Sequence, residues 1–227
     1  MQVVLSIGGS AINPEGKPDV AFLKAMAKIV KESPNTFGIL TGGGSVARAY
    51  ANAARELGSG EYEADSIAIT STRQNAQLLL AALAAEGIDV HKKVVLDFDE
   101  AKATKSKAVV MGGTIPGITT DTDSVLLAEA IGAKRLVNIS NVDAIYDSDP
   151  RKNPKAKKYA KMTYDELVRL AAESDTRMAG THFVFDMLAC KLIARSRIEA
   201  HFVAGKNLSD VKNAIEGRKH NGTVVLS

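Results

Sequence analysis

Three short apolar runs in this chain each end in glycines, and that recurrence narrows the folds open to it. Val3-Val4-Leu5 leads into Ile7-Gly8-Gly9-Ser10, Gly38-Ile39-Leu40-Thr41 into Gly42-Gly43-Gly44-Ser45, and Ala108-Val109-Val110 into Met111-Gly112-Gly113-Thr114. A short, continuous apolar run reads as a strand buried on both faces, which is the habit of parallel sheets. Three strand-then-glycine junctions therefore predict one edge of a parallel sheet lined with bare backbone amides. Such an edge suits a ligand with several phosphates.

The middle junction says most. Three successive glycines remove every Cβ from the turn, so a ligand can reach the main chain. A helical pattern begins at once, with Ser45 as its expected N-cap. The free N–H groups and the positive dipole end of that helix then face the turn. Arg48 opposes the dipole unless an anion sits there; a solvated arginine beside a tight turn is the plain alternative.

Apolar runs alternate with helical patterns almost throughout, which predicts an α/β fold: a three-layer α/β/α sandwich with a mainly parallel central sheet. The 227 residues fit a single domain. A soft division near Thr120 to Gly132 separates an N-terminal lobe of about 1–125 from a C-terminal lobe of about 126–227. Asp19 is expected to cap a helix ending before Pro34. Thr70 and Ser71 are expected to cap a helix from Arg73 to Glu86, whose Ala/Leu surface is broad enough to meet a second copy, although ordinary core packing would look the same. Lys93 to Leu96 reads as a short strand. Asp121 and Asp123 read as first-turn acids of a helix running to Ile131 and stopped by Gly132. Thr163 caps Tyr164 to Ala172, and a further helix spans about Phe183 to Ser196.

Composition closes off several classes. A net charge of +3 indicates no large nucleic-acid footprint, and 45% hydrophobic residues is ordinary for a packed core. The one basic block, Arg151-Lys152-Asn153-Pro154-Lys155-Ala156-Lys157-Lys158, reads as a solvated loop or as a contact for a polyanion or triphosphate. Cys190 is the single cysteine, so there is no disulfide framework, and it is expected to be buried and inert. His91, His182, His201 and His220 show no metal-ligand spacing. Met1-Gln2 leads straight into a strand, and no apolar run approaches the ~20 residues that span a bilayer. The expectation is a cytoplasmic protein with no membrane association.

After the strand Arg135 to Ile139 comes Ser140-Asn141-Val142-Asp143-Ala144-Ile145-Tyr146-Asp147-Ser148-Asp149-Pro150. Acids, amides and a tyrosine gather where open α/β sheets place their chemistry. Two glycine-lined clusters and an acidic loop point to phosphoryl transfer, which needs positioning, cations and a metal ion more than covalent help. Asp143 and Asp149 are the carboxylates to examine for Mg²⁺ or for orienting cations. Turn formation explains Asp149-Pro150 equally well.

In this order the motifs resemble the amino acid kinase family, and within it the archaeal-type uridylate kinases. The matching pieces are the three glycine junctions, the last extended through Ile115-Pro116-Gly117, together with Arg48-Ala49-Tyr50, Thr72-Arg73-Gln74-Asn75-Ala76, Thr119-Thr120-Asp121, Asn141 to Tyr146, Asp149-Pro150, Lys191 to Ser196 and His220-Asn221-Gly222-Thr223. They cover essentially the whole chain. The resemblance implies transfer from ATP, accompanied by Mg²⁺, to UMP. It places Gly43, Asp65 and Thr114, Ile115, Pro116, Gly117, Ile118, Thr119 and Thr120 at UMP, with Asp65 on the ribose hydroxyls. Gly9, Ser10, Gly44 and Arg48 fall at the ATP phosphates; Ser140, Asn141, Tyr146 and Asp149 fall at the adenine nucleotide. It makes Asp143 the organiser of cations around the transferred phosphate and Arg48 a catalytic cation, assigns no residue as a resident metal ligand, and implies a homo-oligomer, a hexamer. Asp186 also matches, though helix capping is its simpler reading.

One departure stands out. Many family members carry a lysine two residues before the first glycine pair; here that residue is Ser6, as is common among the archaeal-type uridylate kinases. Isopentenyl phosphate enzymes place a histidine after the glycine triple, where this chain has Val46-Ala47-Arg48. Acetylglutamate kinases carry the missing lysine, and aspartokinases have added domains that 227 residues do not accommodate. A non-catalytic nucleotide-binding protein on the same fold is the alternative of another class. Ser6 favours it, and the retained loop Thr114 to Thr120 argues against it.

Overall fold

Val3, Leu5 and Ile7 enter one apolar cluster while Val4 enters another, so the first strand is buried on both faces. This is the two-sided burial expected of a central parallel strand. A computed structural model of the chain describes residues 1–150, 152–175 and 185–227. Arg151, His182 and the expected helix start at Phe183 lie outside the described residues.

In chain order the elements are β1 (Gln2–Ile7), α1 (Gly9–Ile12), a 3-10 turn (Pro14–Gly16), α2 (Val20–Glu32), β2 (Thr36–Thr41), α3 (Gly44–Glu56), α4 (Glu61–Ala85), α5 (Phe98–Ala103), β3 (Ala108–Met111), α6 (Thr120–Ile131) and β4 (Arg135–Ser140). Then follow β5 (Ile145–Tyr146), β6 (Lys158–Tyr159), β7 (Lys161–Met162), α7 (Tyr164–Asp175), α8 (Met187–Ser196), β8 (Glu199–Ala204), α9 (Leu208–Glu216) and β9 (Thr223–Val225). Seven strands form one sheet in the order β3-β2-β1-β4-β8-β9-β7. All neighbours are parallel except β8 and β9. Residues of α2, α4 and α9 fill the apolar cluster on one face, and those of α5, α6, α7 and α8 fill the other. The three-layer sandwich with a mainly parallel sheet is what the sequence predicts. Cys190 is fully buried between the layers, and burial pushes its thiol upward, so it stays protonated.

Local chemistry explains most boundaries. Asp19 caps α2 by accepting from the Phe22 N–H at 2.9 Å. Thr163 and Glu166 form a reciprocal capping box at α7, which runs to Asp175 rather than stopping at Ala172. Gly132 ends α6 and Gly217 ends α9, both in the left-handed conformation.

Two expectations fail. Thr70 and Ser71 do not start a helix, because α4 runs unbroken through them. Ser66, Thr70 and Thr72 turn their hydroxyls back onto the carbonyls of Tyr62, Ile67 and Ile69. Those donors are thereby satisfied inside the helix, and no cap is made. The apolar face of Arg73 to Glu86 packs inward through Ala76, Leu79, Leu80 and Leu83, the core packing that the sequence left open. Lys93 to Leu96 forms no strand; Val95 makes one isolated bridge to Met111. Short elements with little periodicity (α1, α5 and the pairs β5, β6 and β7) were not foreseen. No helix among the described residues is long and apolar enough to cross a membrane.

A polar chain runs through the sheet at β8. The Gly222 N–H donates to His220 Nδ1 at 3.0 Å. That fixes the tautomer: His220 Nε2 carries the proton and donates to His201 Nδ1 at 2.8 Å. His201 Nε2 then donates to Glu199 at 2.7 Å, and Glu199 also accepts from Arg135 at 3.1 Å. Burial, which the Glu199 carboxylate only partly offsets, pushes the His201 imidazole down to about 4. An unfolded histidine titrates near 6.5, so the unfolded chain binds this proton first as pH falls. Stability from neutral His201 is complete above pH ~6.5 and declines toward pH ~4, by roughly 2 kcal/mol at pH ~5. Urea denaturation of wild type and His201→Gln at both ends of that window checks this. The variant should lose less stability on acidification; equal losses would show that His201 does not carry the effect.

Candidate active site

Strands β3, β2, β1, β4 and β8 run parallel, so their C-terminal ends share one edge. The chain moves outward from β1 to β2 and β3, then crosses back to place β4 on the other side of β1. That reversal opens a crevice between β1 and β4, the usual ligand position in an open α/β sheet. The crevice is closed at its base by the Gly8 N–H, which donates to Ile139 O at 2.8 Å.

The turns after β1 and β2 touch through their main chains. A Cβ on Gly9 would overlap the Gly44 nitrogen and the Gly43 carbonyl carbon. Gly44 has φ +67°, and a Cβ there would lie 2.7 Å from the carbonyl carbon of Gly9. Neither position admits another residue without moving a backbone. Asn75 Nδ2 holds the turn from below through Gly42 O at 2.8 Å, and Asn13 Nδ2 donates to Asn75 Oδ1 at 2.7 Å. Both asparagines are buried, so this relay fixes the turn from the helical layer.

The expected Ser45 cap is not made. Helix α3 starts at Gly44 with Gly43 as N-cap and no side-chain cap, and Ser45 Oγ is buried without a partner. Helix α1 likewise starts beside Gly8 without a side-chain cap. Neither has an acid in its first turn. Contrast α2, α5, α6, α8 and α9, each capped by a side chain, and α4, whose uncapped start carries Glu61 and Glu63. The helices that open onto the crevice are the ones left without negative compensation. Their first-turn N–H groups have no intrahelical acceptor, so the dipole end is available to an anion. Ser10 lies in α1, and Arg48 stands exposed on α3.

The turn after β3 is anchored separately. The Gly113 N–H donates to Thr72 Oγ1 at 2.7 Å, and Arg73 reaches the carbonyls of Gly113 and Thr114 at 3.1 and 3.0 Å. Thr114 is clamped by Asp123, which accepts from its N–H at 3.0 Å and its hydroxyl at 2.6 Å. Asp123 lies in the first turn of α6, as expected from sequence, and being fully buried and bonded to Thr114 it also anchors the loop. Thr119 caps α6 instead, accepting from the N–H groups of Asp121 and Thr122. Asp65 of α4 accepts from the Gly117 N–H at 2.9 Å, so residues 65 and 114–120 do converge, and Ile115 stands out into solvent. Thr120 Oγ1 lies 3.5 Å from where a Gly42 Cβ would be, which returns the loop to the glycine turn.

Beneath this loop sits a pair of carboxylates. Asp186 caps α8 through the Ala189 N–H, as sequence suggests, and also accepts from the hydroxyls of Thr119 and Thr122. It thus ties the loop to α8. Asp121 meets Ser6 Oγ at 3.5 Å. Burial first, and the Asp186 charge second, push the Asp121 carboxyl up to about 7.

Across the crevice, Ser140 ends β4 and its hydroxyl accepts from the Val142 N–H at 3.1 Å. Asn141 is exposed. Asp143 Oδ1 accepts from the Tyr146 hydroxyl at 3.0 Å and Oδ2 from Lys158 Nζ at 3.0 Å. Burial opposes the Asp143 charge, but Lys158 and Tyr146 outweigh it and hold the carboxyl below its ordinary range. Asp149 O accepts from the N–H groups of Lys152 and Asn153, so a turn forms there. Lys158 was not singled out from its basic run, because its partner lies far back along the chain.

The fold and crevice define an α/β protein with fused glycine turns at the switch point of a parallel sheet. A model described as the amino acid kinase family matches residues 1–204, and the chain belongs to that family. It is 44% identical over 229 residues to the uridylate kinase of Thermococcus kodakarensis, covering 99% of both chains. To the uridylate kinase of Archaeoglobus fulgidus it is 39% identical over 227 residues, covering 99% of this chain and 100% of the other. The crystal structure of uridylate kinase from that organism superposes with a TM-score of 0.85 at 38% identity, over 99% of this chain and 100% of that one. UMP kinase from Bacillus anthracis shares the fold, with a TM-score of 0.83 at 22% identity over 99% of this chain and 95% of that one.

Gly9→Ala tests the turn contact. The added methyl must separate two backbones, so affinity for inorganic tripolyphosphate should fall about tenfold or more, with a lower thermal midpoint. Unchanged tripolyphosphate binding would show that the anion does not use these turns.

Proposed function

We propose that the chain catalyses UMP + ATP → UDP + ADP. The observation that supports this reading best is that two separately anchored features share one sheet edge. One is the fused pair of glycine turns, with two helix ends left uncapped. The other is the loop Thr114 to Thr120, anchored by Arg73, Asp123 and Asp186 independently of those turns. A simple nucleotide-binding protein has no use for the second. Relatives named uridylate kinase that match end to end support the choice of acceptor.

In this reading the acceptor lies in the N-terminal half and ATP in the C-terminal half. Gly43 and residues 114–120 surround UMP. Asp65 keeps one oxygen on Gly117 and offers the other to the ribose hydroxyls. Gly9, Ser10, Gly44 and Arg48 receive the ATP phosphates, and Ser140, Asn141, Tyr146 and Asp149 line the adenine nucleotide. Transfer then needs in-line placement of the two phosphates and donors aimed at the equatorial oxygens, which the uncapped α3 terminus supplies. Mg²⁺ arrives with ATP and offsets charge on its phosphates. Oxygen donors of the acidic loop are of the right class for such an ion, although both oxygens of Asp143 are engaged by protein groups.

The enzyme is proposed to work in the cytoplasm as a homo-oligomer, a hexamer. Tyr50 on α3, Leu57 just past its end and Tyr62 at the start of α4 are exposed and fit such a contact better than the inward face of Arg73 to Glu86.

A coupled ADP-release assay with Mg-ATP tests the acceptor, offering UMP, CMP, dUMP, isopentenyl phosphate and N-acetylglutamate in turn. UMP should turn over far faster than the others. Arg48→Ala and Asp143→Asn should each lower kcat about tenfold or more. Faster turnover of another acceptor would overturn the roles given to Asp65 and residues 114–120. ATP binding without turnover of any acceptor would leave a binding protein.

A further inference from the structure

Strands β5 and β6 carry Tyr146, yet two residues a side are too few to hold a ladder in place by themselves. The ladder also stands outside the seven-stranded sheet. A buried hydroxyl joins the two. Thr223, at the start of β9, is fully buried. Its Oγ1 accepts from the Ile145 N–H at 2.8 Å and donates to the Tyr159 carbonyl at 2.5 Å. Ile145 and Tyr159 stand directly opposite each other in the ladder, so one hydroxyl grips both strands at the same rung. The Ile145 side chain packs in the apolar core, while the hydroxyl fixes its main chain. Valine would fill the same space in a strand, so packing alone does not call for the hydroxyl.

Thr223 is itself on a firm footing. It pairs with Phe202 of β8, and Val224 pairs with Lys161 of β7. The turn before it is pinned as well. The Gly222 N–H donates to His220 Nδ1 at 3.0 Å. Asn221 donates its N–H and its side-chain amide to Asp210, each at 3.2 Å. A Cβ on Gly222 would overlap the Phe202 carbonyl oxygen, so only glycine lets the turn lie this close to β8. The run His220-Asn221-Gly222-Thr223 thus acts as a unit that places one hydroxyl. The path from there to the crevice is short: Tyr146 follows Ile145, and its own hydroxyl donates to Asp143 at 3.0 Å.

We propose that Thr223 is a positioning residue for the adenine nucleotide, setting through Ile145 where Tyr146 stands at the crevice. This rests on the reading of Ser140, Asn141 and Tyr146 as the ATP side. Calorimetric binding of Mg-ATP and of UMP to the full-length protein, for wild type, Thr223→Val, Thr223→Ser and Asn141→Ala, tests both statements. Thr223→Val should weaken Mg-ATP about fivefold or more and UMP less than about twofold. Thr223→Ser keeps the hydroxyl and should hold Mg-ATP affinity within about twofold of wild type. A purely structural threonine would weaken both ligands alike, or lower the thermal midpoint with both affinities unchanged; either result overturns the proposal. Should Thr223→Val bind Mg-ATP like wild type while Asn141→Ala weakens it, Thr223 is excluded and the ATP side stands. If neither variant changes Mg-ATP binding, the ATP-side reading falls and the proposal with it. Amide exchange of the wild type decides the matter if Thr223→Val does not fold. The Ile145 amide should exchange more slowly with Mg-ATP bound and at an unchanged rate with UMP bound. Equal rates in every state overturn the proposal.

Discussion

The contact between the turns after β1 and β2 is made by backbone on backbone, and the rest of the site is arranged to permit it. Gly9 lies against Gly43 and Gly44 so closely that a methyl group on Gly9 or Gly44 would press backbone on backbone. Because the turns are fused, α1 and α3 aim their first N–H groups into the same small volume. Two helix ends pointed at one place repel each other electrostatically unless something negative lies between them. Among the described residues these two helix starts have no side-chain cap and no first-turn acid, and the Ser45 hydroxyl is buried without a partner. On the proposed reading, a bound phosphate would offset this repulsion. The Asn13–Asn75 relay holds the arrangement by tying Gly42 to the helical layer.

Charge on the opposite wall is arranged the other way. Asp121, Asp123 and Asp186 lie behind the loop Thr114 to Thr120, where incoming phosphates would meet like charge. Asp123 spends its charge on Thr114, and Asp186 spends its own on two threonine hydroxyls and a helix end. For Asp121, burial first and the Asp186 charge second push the carboxyl up to about 7, and its hydroxyl partner Ser6 stands 3.5 Å away.

The sheet was legible in the sequence because each central strand is a short apolar run ended by glycine or a cap. Strand β2 over Thr36 to Thr41 and β3 over Ala108 to Met111 are where the pattern puts them. Groups set by contacts distant in sequence were not legible. The hydroxyls of Thr70 and Thr72 look like a helix start, and only the path of α4 shows them bonded backward. Asp123 reads as a dipole-complementing acid, and its second role, holding Thr114, shows only in the structure. Lys158 reads as one more lysine of a basic run, because the ladder that sets it opposite Tyr146 has too few residues to show a period. The converging residues Asp65 and Thr114 to Thr120 came from the family pattern; no spacing links them, and only the Gly117 hydrogen bond brings them together.

The absence of a charged residue at Ser6 changes where the site's positive charge resides. A lysine on β1 would be part of the central sheet and fixed with it. Arg48 stands exposed on α3. On the reading proposed above, the backbone amides of the fused turns would set where the phosphates lie, and Arg48 would add to how strongly they are held.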